Sequence, residues 1–183
     1  MTSQVLIQKL EKERDLTDAG FAQLMQGLTP DDEQELYARA RDVREAVYGK
    51  AVYVRGLIEF SNICKNDCYY CGIRRGNQKA ERYRLTEEEI MQCCHYGFSI
   101  GFRTFVLQGG EDAYFTTERL AAIVRRIKQS FPECAVTLSV GEREREDYQV
   151  LKEAGADRYL LRHETANPVH YGCLHPPELS LAR

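Results

Sequence analysis

Apolar positions follow a helical period over the first third of the chain and a strand–loop–helix rhythm after it. Val5, Leu6, Ile7 and Leu10 cluster at helical spacing, and Thr17-Asp18 opens a second run through Phe21, Leu24 and Met25. Thr29-Pro30-Asp31-Asp32-Glu33 reads as a third helix start. It has a capping hydroxyl, Pro in the first turn, and acids at the positive end of the helix dipole. That helix is expected to carry Leu36, Tyr37, Ala40, Val43 and Val47 inward and to stop at Gly49. Residues 1–49 are therefore expected to form a helical segment that plugs or flanks the rest.

From residue 50 to 183 the pattern predicts strands over Val52–Phe60, Thr104–Gln108, Ala135–Val140 and Arg158–His163. Helices are predicted between them over Thr86–Tyr96, Thr116–Ser130 and Glu144–Ala154, the first opened by Thr86 with Glu89 as a capping box. Alternating strand and helix with short connections argues for a parallel sheet. No Gly-rich dinucleotide fingerprint follows the first strand, which removes the Rossmann reading. The expected class is α/β, a partial (β/α) TIM-type barrel of about four parallel strand–helix units preceded by N-terminal helices.

Two-residue periodicity gives each strand two faces. In the fourth, Arg158, Leu160, Arg162 and Glu164 share one side, and Tyr159, Leu161 and His163 the other. In the third, Thr137, Ser139 and Gly141 alternate with Val136, Leu138 and Val140. The apolar sides should meet helices. The polar sides should line a cavity in which buried Arg and Glu need a ligand or each other. Each strand ends in polar residues, where barrel enzymes carry their chemistry. Gln108-Gly109-Gly110-Glu111-Asp112 combines glycines that permit close backbone approach with a carboxylate suited to an ammonium group. A turn leading into a helix would use the same residues.

Composition narrows the class. Charged residues make up 29% and hydrophobic residues 43%, as in a soluble globular domain. The net charge of −3 offers no electrostatic case for nucleic acid or an anionic membrane. No apolar run approaches membrane-spanning length, and the first residues lack the apolar core of a signal peptide. Seven cysteines without such a signal point to a reducing cytoplasm.

Three of these cysteines, Cys64, Cys68 and Cys71, stand at Cys-x3-Cys-x2-Cys spacing directly after the first strand. That spacing lets one loop give a thiolate to each of three irons of a [4Fe–4S] cube, leaving the fourth iron open to a small molecule. A zinc site, a disulfide or core packing would use the same residue type. Zinc wants a fourth ligand, usually in a second Cys or His pair, and none follows Cys71 closely. Cys93, Cys94 and Cys134 read as core or surface residues. Cys173, near His170 and His175, reads as a loop cysteine rather than a second metal ligand.

The cysteine motif resembles that of the radical S-adenosylmethionine (SAM) superfamily. Arg55-Gly56-Leu57-Ile58-Glu59-Phe60-Ser61-Asn62, Leu107-Gln108-Gly109-Gly110-Glu111-Asp112 and Arg158-Tyr159-Leu160-Leu161-Arg162-His163-Glu164-Thr165-Ala166-Asn167-Pro168 resemble the HydE family of [FeFe]-hydrogenase maturases. That family is grouped with biotin synthase and methylornithine synthase. The likeness runs from about Val43 to the last residue. Members are longer, so the resemblance implies the N-terminal half of such a barrel, with weak coupled activity or none from this half alone.

The resemblance implies roles residue by residue. Cys64, Cys68 and Cys71 would ligate the [4Fe–4S] cluster. Tyr70 would pack near adenine, and Gly109, Gly110 and Glu111 would meet the amino group of SAM. Ser139 and Glu164 would belong to the same cofactor site, and Arg183 would meet the SAM carboxylate. Arg158 and Arg162 would hold a carboxylate-bearing substrate. It also implies reductive cleavage of SAM to a 5′-deoxyadenosyl radical acting on a small molecule or iron complex during assembly of the hydrogenase H-cluster. Implied partners are an electron donor and other hydrogenase maturases. Two other functions fit the same residues: a radical SAM enzyme of the biotin synthase group acting on an amino-acid-like metabolite, and an inactive cluster- or zinc-binding module.

Overall fold

The computed structural model describes residues 2–179 and 181, in two compact units, Met1–Tyr53 and Val54–Arg183. In the first, α1 (Ser3–Glu13), α2 (Asp18–Gly27) and α3 (Pro30–Tyr48) close on a small core of Leu6, Ile7, Leu16 and Leu24. Every start expected from the sequence is present. Thr17 accepts from Gly20 N, and Thr29 forms a capping box with Asp32. The expected inward stripe of α3 is not buried, however. No residue of α3 is buried, Tyr37 and Val47 are exposed, and only Leu36 packs on the small core. Phe21 and Met25 of α2 are exposed as well.

The second unit follows the expected rhythm. Strands β1 (Gly56–Ser61), β2 (Thr104–Gly109), β3 (Ala135–Ser139) and β4 (Arg158–Tyr159) are parallel, in the order β1-β2-β3-β4. Between them run α4 (Glu87–Ser99), α5 (Thr117–Ser130) and α6 (Arg145–Glu153), and a short α7 (Pro168–Leu174) follows β4. Ile58 and Phe60 of β1, Phe105 and Leu107 of β2, and Val136 and Leu138 of β3 all enter one core with Ile90, Leu120, Val124, Ile127 and Leu151 of the helices. Sequential strand order with the helices on one face is the winding of a (β/α) barrel, not of a doubly wound sheet, whose order reverses. No helix among the described residues is long and apolar enough to cross a membrane.

The two edge strands differ from their expected lengths. β1 begins at Gly56, paired with Phe105, whereas Val52, Tyr53 and Val54 are exposed and outside the ladder. β4 was expected to reach His163 and ends at Tyr159, with one further bond from Leu160 N to Leu138 O at 2.8 Å. Its neighbour β3 ends at Ser139, so the chain beyond has no partner to extend against. Tyr159 faces the helices as expected, edge-on to Tyr148 of α6 at 4.8 Å. Leu161, expected to do the same, is 49% exposed.

Candidate functional site

The segment between Ser61 and Leu85 has almost no regular structure, so its carbonyls need other partners. Its neck is closed by an antiparallel bridge from Ser61 to Arg84 and by Leu85 N donating to Phe60 O at 2.7 Å. Asn62 adds a donor to Glu81 O (2.6 Å) and an acceptor for Tyr83 N (2.8 Å). Inside the loop, Arg82 donates to four carbonyls: Asn62 O (2.6 Å), Ile73 O (2.8 Å), Arg74 O (2.6 Å) and Asn77 O (3.2 Å). One rigid guanidinium fork thus gathers both arms of the cysteine loop, a geometry a flexible ammonium cannot reproduce.

Cys64, Cys68 and Cys71 are free and half-buried on this loop. The turn between the last two is fixed by Cys71 N donating to Cys68 O at 3.0 Å. Burial pushes the Cys68 thiol up, and the charges of Cys64 and Cys71 push it further. Cys68 thus lies near enough to both other thiols for their charges to act on it. Among the described residues no group of three His, Cys, Asp or Glu side chains is drawn together around one point. A cube that offers each sulfur its own iron suits this donor set.

The other strand ends converge on the same loop. Glu111, after β2, accepts from Lys65 N through its backbone oxygen at 3.1 Å. Its carboxylate accepts from Asn66 Nδ2 at 2.9 Å and pairs with Lys65 Nζ at 3.0 Å. Gly110 lets this happen, because a Cβ there would run into Ile63 O and Cys64 Cβ. Gly141, after β3, has φ +80°, and a Cβ on it would collide with the Glu111 side chain. So the glycine after β2 admits the cysteine loop, and the glycine after β3 admits the carboxylate.

Asp112 fixes this junction from beneath. Its carboxylate is buried and takes a two-pronged pair from Arg84 at 2.6 and 2.8 Å and a bond from Ser61 Oγ at 2.7 Å. Burial alone would raise its pKa, but the Arg84 and Ser61 hydrogen bonds outweigh burial and hold it below the ordinary value of 3.8.

Tyr70 joins the cysteines to the end of the chain past β4. Burial raises the pKa of its phenol most, followed by the charges of Cys68 and Glu164 and by its hydrogen bond with Glu164. Glu164 sits at φ +59°, one of two non-glycine residues with positive φ among those described. Beyond it, α7 is capped by Asn167, whose Oδ1 accepts from Val169 N and His170 N. The Asn-Pro pair at 167–168 is the local signal for this helix, a capping side chain followed by proline in the first turn. Leu174 O accepts from Tyr69 N at 2.9 Å, and the buried His175 ring meets Tyr70 edge-on at 5.5 Å.

The sheet face away from the helices carries two rows. Leu57, Val106, Thr137 and Arg158 are register neighbours, as are Glu59, Gln108 and Ser139. Gln108 Nε2 donates to Glu59 Oε1 at 3.3 Å. Ser139 is buried, and Thr137 Oγ1 is buried with no hydrogen-bond partner. Arg158, Arg162 and Glu164, expected to be buried charges, are exposed instead, because β4 is a sheet edge in this chain. The structure thus draws Tyr70, Gly110, Glu111 and Glu164 to the cysteine loop, with Gly109 beside Phe60 and Ser61 at the end of β2. Arg183 lies outside the described residues. Sequence reasoning passed over Arg82, and it named Asn62, Asp112, Thr137 and His175 without giving any of them a role of its own.

Residues 58–176 match the profile of the radical SAM superfamily. The chain is 43% identical over 176 residues to the [FeFe] hydrogenase maturase subunit HydE of Thermotoga maritima, covering 96% of this chain and 50% of that protein. It is 32% identical over 152 residues to 3-methylornithine synthase of Methanosarcina barkeri, covering 82% and 43%. Among solved structures, methylornithine synthase PylB aligns with TM-score 0.83 at 30% identity, over 97% of this chain and 52% of that one. The maturase HydG of Carboxydothermus hydrogenoformans aligns with TM-score 0.84 at 28% identity, over 98% and 42%. The chain spans about half the length of the curated relatives it matches.

Proposed function

The chain belongs to the radical SAM superfamily, and we propose that it supplies the cluster and SAM site of a HydE-like maturase acting in assembly of the [FeFe]-hydrogenase H-cluster. The observation that carries this reading is the meeting of the ends of β1 and β2 and the segment past β4 on one loop bearing three half-buried thiols, with the end of β3 seated against Glu111. Cys64, Cys68 and Cys71 would hold a [4Fe–4S] cluster. When bound, the cluster supplies the electron that cleaves SAM to methionine and a 5′-deoxyadenosyl radical.

The protein's part is to bind, orient and exclude water. Glu111 takes the amino group of SAM. It is a largely buried carboxylate already paired with one ammonium, that of the exposed Lys65, which is free to yield. Gly109 and Gly110 keep that carboxylate close to the thiols, and Tyr70 offers its ring face to adenine. Glu164 and Ser139 contribute to the same site, and Arg183 to the carboxylate of SAM. Arg158 and the unpartnered Thr137 hydroxyl on the open sheet face, with Arg162 just beyond β4, suit a carboxylate-bearing substrate. An outside electron donor and the companion maturases complete the system.

A second reading, an enzyme of the biotin synthase group acting on an amino-acid-like metabolite, is favoured by the likeness to methylornithine synthase. Anaerobic reconstitution with iron and sulfide, followed by addition of SAM and dithionite, tests the shared part. A brown protein with about four irons per chain that releases 5′-deoxyadenosine is expected. A colourless protein holding zinc would overturn both readings. Product analysis with an iron–cysteine complex against amino-acid substrates separates the two.

A further inference from the structure

On that reading the site needs one electron from outside for each cleavage, and the cysteine loop has a charge pattern suited to receiving it. From Lys65 to Arg84 the sequence holds six basic side chains against two acidic ones, a net of +4 in a chain whose total is −3. Three of the six are spent internally. Lys65 pairs with Glu111 at 3.0 Å, Arg74 with Asp67 at 3.8 Å, and Arg84 with Asp112 at 2.6 Å. Arg82 is bonded to carbonyl oxygens, so its charge meets no carboxylate.

Arg75 and Lys79 are different. Both are exposed, and among the described residues neither side chain meets a carboxylate. Both are nevertheless held in place by their backbones. Arg75 N donates to Asn66 O at 2.8 Å, which ties it to the turn between Cys64 and Cys68. Lys79 N donates to Asn77 Oδ1 at 3.0 Å, and Asn77 Nδ2 to Gly72 O at 2.8 Å. Two uncompensated cations therefore project from anchored backbone on the loop that holds the thiols. An electron crosses protein readily only over short gaps, so its donor must seat against this loop.

We infer that the Arg75–Lys79 side of the cysteine loop is the docking face for an acidic one-electron carrier protein. Opposite charges steer such a partner to this loop and speed encounter, with a strong dependence on salt. At the contact one electron leaves the carrier, which is oxidised, and one arrives at the cluster, which is reduced. No bond or proton moves. Nucleic acid fits less well, because duplex binders neutralise about six to ten phosphates and this face offers two free cations beside Arg82.

The test uses the full chain and a reduced plant-type [2Fe–2S] ferredoxin as probe. Stopped-flow bleaching of the reconstituted cluster is followed at low and high ionic strength, with dithionite as the small reductant. The double variant R75E/K79E is expected to be reduced by ferredoxin about tenfold more slowly at low salt. It should lose the salt dependence and keep the wild-type dithionite rate and iron content. R75Q/K79Q should fall between the two, which separates charge from damage to the loop. Ferredoxin reduction of R75E/K79E at the wild-type rate would overturn the assignment.

A second arm needs no cluster. Binding of oxidised ferredoxin to the cluster-free chain is measured by fluorescence anisotropy, and a weakening of about tenfold in R75E/K79E is expected. Failure of the chain to take up iron defeats the functional reading, whereas this arm still decides the docking face. Ferredoxin binding unaffected by the substitutions, with binding of a short DNA duplex abolished by them, would assign the face to nucleic acid instead.

Discussion

Cys94 and Cys134 lie fully buried against the helices, and Cys64, Cys68 and Cys71 lie half-buried on a loop without an apolar core. Burial pushes the Cys94 thiol up to about 12, with Cys93 and Cys134 adding to it. Such a thiol stays protonated and packs as a small apolar group. Cys68 is raised in the same way, by burial first and then by the charges of Cys64 and Cys71. Exposure separates the two sets. Their settings differ as well: Cys94 and Cys134 pack in the apolar core, whereas the three loop cysteines sit on a segment held by bonds to backbone carbonyls.

The sharpest way to break this contrast is to remove one sulfur from each set. Cys68→Ala is expected to take bound iron from about four per chain to near none, and Cys64→Ala and Cys71→Ala to do the same. Cys134→Ala and Cys94→Ala should retain it. Iron and sulfide analysis after anaerobic reconstitution decides the matter. Full iron content in Cys68→Ala would end the cluster assignment.

The core set is probed next through Leu107, fully buried on the helix face of β2. Leu107→Ala removes methyl groups from a packed site and is expected to cost about 2–5 kcal/mol of stability. The urea midpoint should fall accordingly, while iron per folded chain stays constant. A loss of iron in proportion to stability would show that the two regions are not independent.

Much of this division was legible in the sequence. Strands β2 and β3, paired on both sides, begin where the period of two placed them. β1 and β4 are edges with one neighbour each, and their lengths follow the partner rather than their own pattern. The caps at Thr29 and Thr86 were legible because a hydroxyl before a helical run acts locally. At the site, regular spacing exposed the cysteines and Gly109-Gly110-Glu111. Arg82, and the role of Asp112, escaped because their partners are brought to them by the fold: Asp112 meets Arg84 from 28 residues away and Ser61 from 51.

Arg82 sharpens the contrast at intermediate size. Arg82→Lys keeps the charge and loses the fork, so carbonyls at Asn62, Ile73, Arg74 and Asn77 go short of donors. Each deprived group costs about 1–3 kcal/mol when buried, and less here because the loop is partly wet. Amide exchange in the loop should rise and iron uptake should fall, while exchange in β2 and α5 stays unchanged. Equal protection of the loop in both proteins would remove Arg82 from its assigned position.

The smallest effect is expected from acid, at the junction where core and loop meet. Asp112 has its pKa held below the ordinary 3.8 by Arg84 and Ser61. A carboxyl depressed in the folded state stabilises the fold fully above its unfolded value, and that contribution is lost as pH falls through the folded value. The window therefore lies below about pH 4, and one group changes stability by at most about 1.4 kcal/mol per pH unit. Asp112→Asn carries no titratable proton at this position. It should be less stable than the parent at pH 7, because Arg84 loses its anionic partner, and the difference should shrink as pH falls from 5 to 3. Urea midpoints of the cluster-free chain across that range measure it. A difference that stays constant through pH 3 would mean that Asp112 does not titrate there, and that the Arg84 pair holds the junction by shape rather than by charge.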